Sequence, residues 1–125
     1  MISLLVPLQL VSEANQAEHW TRRARRRKAQ RMMVCLALRA LHVVVPKPPL
    51  VVSLCRLSPR QLDTDNLSSA FKSVRDEIAL WLGVDDRSAS VQYRYSQDSY
   101  KTLSPRHQQE SKHWIHIQIG EIDVS

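Results

Sequence analysis

The chain has 125 residues, enough for one domain with a modest core and too few for two ordinary ones. Its 18 Lys and Arg against 12 Asp and Glu leave a formal net charge of +6, which favours a polyanionic partner such as nucleic acid; RNA, ribosomes and anionic membrane also attract basic proteins. Cys35 and Cys55 lie far apart in apolar runs without metal-ligand spacing, so a disulfide framework is not expected and a cytoplasmic protein with buried thiols is.

The apolar run from Ile2 to Val11 lacks a basic leader and a small-residue cleavage site and is too short to span a bilayer. It reads as a first strand, with Pro7 hinting at an edge position, and neither secretion nor a membrane segment is expected. Ser12 or Asn15 is placed to cap the next helix. Residues 16–44 contain no glycine or proline and are rich in Ala, Arg, Leu and Met, which predicts a long helix. Its first half carries Arg22, Arg23, Arg25, Arg26, Arg27, Lys28 and Arg31; the second, from Met32 to Leu38, is almost wholly apolar. Lys28 and Arg31 interrupt the stripe of Trp20, Ala24, Cys35 and Leu38, which a merely solvated helix would seldom do. The seven basic residues therefore read as a phosphate-contacting surface, with a solvated charge run or a localisation signal as the alternative.

Pro46, Pro48 and Pro49 end that helix. Leu50 to Leu57 is apolar and β-branched enough for an interior strand, and it leads through Ser58 and Pro59 into Leu62-Asp63-Thr64-Asp65-Asn66-Leu67. Asp63 and Asp65, two apart, project to one side of an extended strand end, and Asn66 adds an amide oxygen. Carboxylates held that close repel unless a hard, oxygen-seeking cation of the Mg²⁺ type lies between them. From about Thr64 to Leu82 a helix is predicted, with Leu67, Ala70, Phe71, Val74, Ile78, Trp81 and Leu82 on its core face. Asp65, Ser69, Lys72 and Asp76 share the opposite face. Gly83 is the expected left-handed end of this helix, and Asp85 and Asp86 come directly after it. That second acidic pair meets the first only if the strand and helix ends lie at a common edge, which the sequence permits.

Residues 89–97 alternate, with Val91, Tyr93 and Tyr95 against Gln92, Arg94 and Ser96, the period of a half-buried strand. Residues 112–122 repeat the pattern through Trp114 or Ile115, Ile117 and Ile119. Between them lies a polar loop, 98–111, with Lys101, Arg106 and His107, for which DNA contact and plain disorder are both open. His113 and His116, three apart in a strand, point to opposite faces and do not chelate one ion. Glu110-Ser-Lys112 with Asp98 upstream has the residue types of a restriction-type nuclease site but no supporting context. Glycine-rich phosphate loops, zinc patterns and nucleophile-His orders are missing from the sequence.

Asp63-Thr-Asp65-Asn66-Leu67, a helix bearing Lys72, and Leu82-Gly83-Val84-Asp85-Asp86 together resemble the signature of the RusA family of Holliday junction resolvases. The resemblance is close over this stretch, and the order of the flanking elements fits most of the rest. It implies a homodimeric endonuclease dependent on Mg²⁺, or Mn²⁺ as substitute, that makes paired cuts in four-way DNA junctions during recombination and repair. It further implies that Asp63, Asp65 and Asp86 are the catalytic, metal-binding carboxylates and Lys72 the catalytic lysine. Asn66 and Asp85 would be additional ligands or ligand-orienting groups. The family lysine can lie four residues past the second aspartate, which is Ser69 here, so Lys72 takes the role only with a short insertion at the helix start. The expected fold is a single α+β domain in the order strand, helix, strand, helix, strand, strand, a mixed sheet packed against two helices. The competing expectation is a non-catalytic basic nucleic-acid-binding protein whose aspartates cap or position a helix.

Overall fold

The alternating runs become the four strands of one mixed sheet in a computed structural model that describes residues 1–12, 19–85 and 87–122. In chain order the elements are β1 (Ile2–Val6), α1 (Trp20–Ala40), β2 (Leu50–Leu57), α2 (Thr64–Ala70), α3 (Lys72–Leu82), β3 (Val91–Asp98), α4 (Pro105–Glu110) and β4 (Trp114–Glu121). The fold is α+β, with sheet order β1-β4-β2-β3. β2 runs parallel to β3, while β4 is antiparallel to both β1 and β2. β1 lies at the edge, as Pro7 suggests, and β2 in the interior.

The period of two assigns the faces. Leu54 of β2 is level with Ile117 of β4, Leu4 of β1 and Tyr95 of β3, and this row turns inward with Val52, Ile115 and Ile119 into the core beneath the helices. The opposite face is polar: Ser3, Gln118, Ser53 and Arg94 form one row across it, and Ser3 is hydrogen-bonded to His116 at 2.7 Å. Two polar residues interrupt the inward face, Arg56 and its neighbour in register, Gln97.

α1 differs from its expected stripe. Trp20 is 70% exposed and Ala24 is exposed, so of the predicted four only Leu38 is fully buried. The inward residues are Gln30, Val34 and Leu38, continued by the half-buried Met33, Ala37 and Leu41 in one direction and Arg23, Arg26 and Arg27 in the other. Arg31 Nε donates to Glu77 Oε2 on α3 at 3.0 Å, so the stripe lost its basic member to the neighbouring helix while Val34 and Leu38 went into the core. The Nε atoms of Arg23, Arg26 and Arg27 are buried, so their guanidinium heads are drawn in against the protein. The helix is also shorter than 16–44. It stops at Ala40, where His42 takes a positive φ of 50° ahead of Val43–45; of its expected start, 16–18 lie outside the described residues.

The helix expected over 64–82 is broken at Phe71. Ser69 Oγ donates back to the Asn66 carbonyl at 3.0 Å, a bond that bends helices, and the Phe71 N–H turns to Ser68 O at 3.2 Å. Phe71 itself is wholly buried, its ring 5.8 Å from that of Tyr95. Lys72 thereby becomes the first residue of α3, and its shared face with Asp65 and Ser69, which a continuous helix would give, is interrupted. Gly83 closes α3 as expected, with φ 73° and the Val84 N–H on Ala79 O. Phe71→Ala should lower stability by about 3–4 kcal/mol, because it empties the point where α2, α3 and β3 meet. Urea denaturation measures it, and a loss under about 1 kcal/mol would mean that the ring does not hold the junction.

The polar loop of 98–111 proves to be structured. A 3₁₀ turn, Tyr100–Thr102, leads into α4, where Ser104 Oγ accepts the His107 N–H and Pro105 takes the first helical position. His107 meets Trp114 edge to face at 5.1 Å. Among the described residues no helix is long and apolar enough to cross a membrane.

Candidate metal site and nucleic-acid interface

Because β2 and β3 are parallel and in register, the chain between them must leave at one edge of the sheet and re-enter at the other. Asp63 and Asp65 lie just past the exit. The backbone there is clamped by Gln97 at the end of β3: the Leu62 N–H donates to Gln97 Oε1 at 2.9 Å, and Gln97 Nε2 donates to Leu62 O at 2.7 Å. A single side chain thus fixes the residue before Asp63. The pattern of the sequence hides this role of Gln97, since its inward position emerges only with the register of β3.

Asp63 occupies the N-cap of α2 with extended backbone, yet its carboxylate makes no capping bond; its carbonyl receives the Asn66 N–H at 2.9 Å. Asp65 stands in the first turn of α2, a position that favours negative charge. Both are exposed, and among the described residues neither carboxylate has a hydrogen bond or ion pair. Two carboxylates and the half-buried Asn66 make an all-oxygen donor set, the kind hard cations take.

Asp85, the described member of the second acidic pair, lies at the other edge. Its Oδ1 accepts the Arg87 N–H at 2.9 Å, its carbonyl accepts the Ser88 N–H, and two residues on, Ser90 O pairs with the Leu50 N–H at the start of β2. β2 separates the two edges by its eight residues. At the rise of a strand that is on the order of 20 Å. Asp63 and Asp65 thus follow one end of β2, and the turn that holds Asp85 precedes the other. Asp86 lies outside the described residues. Among those described, no group of three or more His, Cys, Asp or Glu is placed to hold a metal ion.

Lys72 shares an open cavity of about 510 Å³ with Arg31, Asp76, Leu80 and Asp85, along the exposed side of α3. So the structure groups Lys72 with the second acidic segment through the length of α3. Of the basic residues of α1, Arg22, Arg25 and Lys28 are exposed and spaced by three, on one face. Arg23, Arg26 and Arg27 are half-buried, and Arg31 is held by Glu77. Only three of the seven therefore form a fully outward basic row. Beside it Met32 and Leu36 are exposed, an apolar strip bordered by Arg31 and Arg39.

No model of a known protein family matches the chain, and no curated protein matches it.

Proposed function

We propose that the protein is a divalent-metal-dependent endodeoxyribonuclease that cuts four-way DNA junctions as a homodimer in the cytoplasm. The observation that carries this reading is the Asp63 and Asp65 pair: exposed, without side-chain partners among the described residues, and set at a sheet edge beside the backbone that Gln97 clamps. A helix-capping role would spend the Asp63 carboxylate on the α2 amides, and it is not so spent. Asp63 and Asp65 would hold the ion, Asn66 adding or orienting a ligand. A bound Mg²⁺ or Mn²⁺ supplies activation of the attacking water and stabilisation of the charge that builds on the phosphorus. Lys72, exposed at the start of α3 and sharing a cavity with Asp85, would bring a fixed positive charge to the same developing charge along with the second acidic segment.

In this reading a second copy would complete the site. With one acidic segment beyond each end of β2, a two-fold dimer would set the Asp63 end of one copy against the Asp85 end of the other, twice. Two sites related by that axis suit two paired cuts.

Incubation of the purified protein with a synthetic four-way junction tests the reading: symmetric cuts with Mg²⁺ or Mn²⁺, and none with chelator, are expected. Binding without cutting under every metal condition would overturn it in favour of a non-catalytic nucleic-acid-binding protein. Either way Arg22, Arg25 and Lys28 should touch phosphates. Replacing all three with alanine should flatten the dependence of log affinity on log salt by about 0.9 for each phosphate that is no longer neutralised. An unchanged slope in fluorescence-anisotropy titrations would remove this row from the interface.

A further inference from the structure

Arg56 stands where the inward row of β2, after Leu50, Val52 and Leu54, calls for another apolar residue, and it is only 6% exposed. Its Nε donates to Leu10 O at 3.2 Å and its Nη1 to Arg60 O at 2.6 Å. Both acceptors are neutral carbonyls, and among the described residues no carboxylate pairs with it. Buried cations are ordinarily paired, so this one lacks its counter-charge.

The surroundings add more positive charge. Arg56, Arg60 and His113 line one cavity of about 270 Å³ with Gln9 and Pro59. The His113 ring is fixed through Nδ1, hydrogen-bonded at 3.1 Å to the buried Ser58 Oγ, and its backbone is held on both sides by Ser111 Oγ. Nε2 is left for a ligand. Burial, with help from Arg56 and Lys112, pushes the His113 imidazole below its ordinary pKa, and burial does the same to Arg56. Among the residues lining this cavity, no acid offsets them.

We propose that Arg56, Arg60 and His113 form a binding site for a phosphate group at the exit edge of β2, three residues before Asp63. Arg56 keeps Nη2 beyond the two carbonyls, Arg60 brings a whole guanidinium fork of the kind phosphate oxygens match, and the His113 imidazole lines the same cavity. The bound anion supplies the charge that Arg56 lacks. The ligand is a phosphodiester of a nucleic-acid backbone or free inorganic phosphate, which present the same oxygens. The site stands on its own geometry and holds whether or not the protein cuts DNA.

The test tracks the His113 ring by NMR in the full chain while inorganic phosphate is added, with chloride at matched ionic strength as control. A saturable shift and a raised His113 pKa are expected, because an anion against Arg56, Arg60 and Lys112 favours the imidazolium. Arg60→Ala, at an exposed position, should weaken phosphate binding about tenfold with an unchanged melting temperature; His113→Gln, measured by calorimetry, should weaken it less. A four-way junction that shifts the same ring signals, and binds about tenfold more weakly to Arg60→Ala, assigns the site to backbone phosphate. Phosphate saturation without any junction effect assigns it to the free anion. If neither phosphate nor DNA moves the His113 signals beyond the chloride control, the proposal fails.

Discussion

Asp65→Asn should abolish metal-dependent junction cleavage, by roughly 10³-fold or more, while leaving junction binding intact or tighter. The size comes from the charge: a ligand that loses its negative oxygen gives up several kcal/mol of ion binding and of the electrostatic stabilisation that depends on it. The structure makes the result readable. Asp65 is exposed and has no hydrogen bond or ion pair among the described residues, so its amide should cost the fold under about 0.5 kcal/mol. Tighter binding is expected because one repulsion against phosphate is gone. A variant that still cuts at the wild-type rate, with unchanged melting, would show that the acidic edge is not the active site. Asp63→Asn is the companion, and Gln97→Ala tests the clamp. The last should slow cleavage by about 10-fold to 100-fold without touching a ligand directly, as groups that orient metal ligands do.

The range of the forces involved decides which features were legible in the sequence. Period-two runs such as Val91, Tyr93, Tyr95 depend on residues close in the chain, and they became strands at the expected places; Gly83 and Pro7 mark their positions by backbone restrictions of their own. The break at Phe71 needed a long-range fact, the seating of that ring against Tyr95, although Ser69 offered a local hint. α4 was within reach: Ser104 before Pro105 is a helix start, outweighed in the reading of 98–111 by its polarity. The buried side of α1 was not, because it is set by packing on α3 and β1, both distant in sequence. Gln97 and Arg56 gained meaning only from the register that turns both inward. Asp63 and Asp65 could be picked out by spacing, but the distance to Asp85 rests on β2 and β3 being parallel, and pairing direction leaves no trace in either strand's own pattern.

That distance yields the sharpest expectation. If each site takes Asp63 and Asp65 from one copy and Asp86 from the other, Asp65→Asn and Asp86→Asn should each be inactive alone, yet recover activity when mixed. In a mixed dimer both substitutions fall in the same composite site, and the other site keeps every carboxylate. Random exchange makes about half of the dimers mixed, each able to nick one strand and unable to complete the paired cut. Denaturing gels of a junction labelled on each strand distinguish nicks from resolution, after the two variants are unfolded and refolded together to ensure exchange. Were each site built within one chain, each copy of the mixed dimer would carry its own lesion and the mixture would stay dead. Dilution gives an independent reading, since a site shared between copies should lose cleavage as the dimer dissociates, whereas a site within one chain should keep nicking. Continued nicking by the monomer would show that Asp63 and Asp65 cut without the second copy's acidic segment.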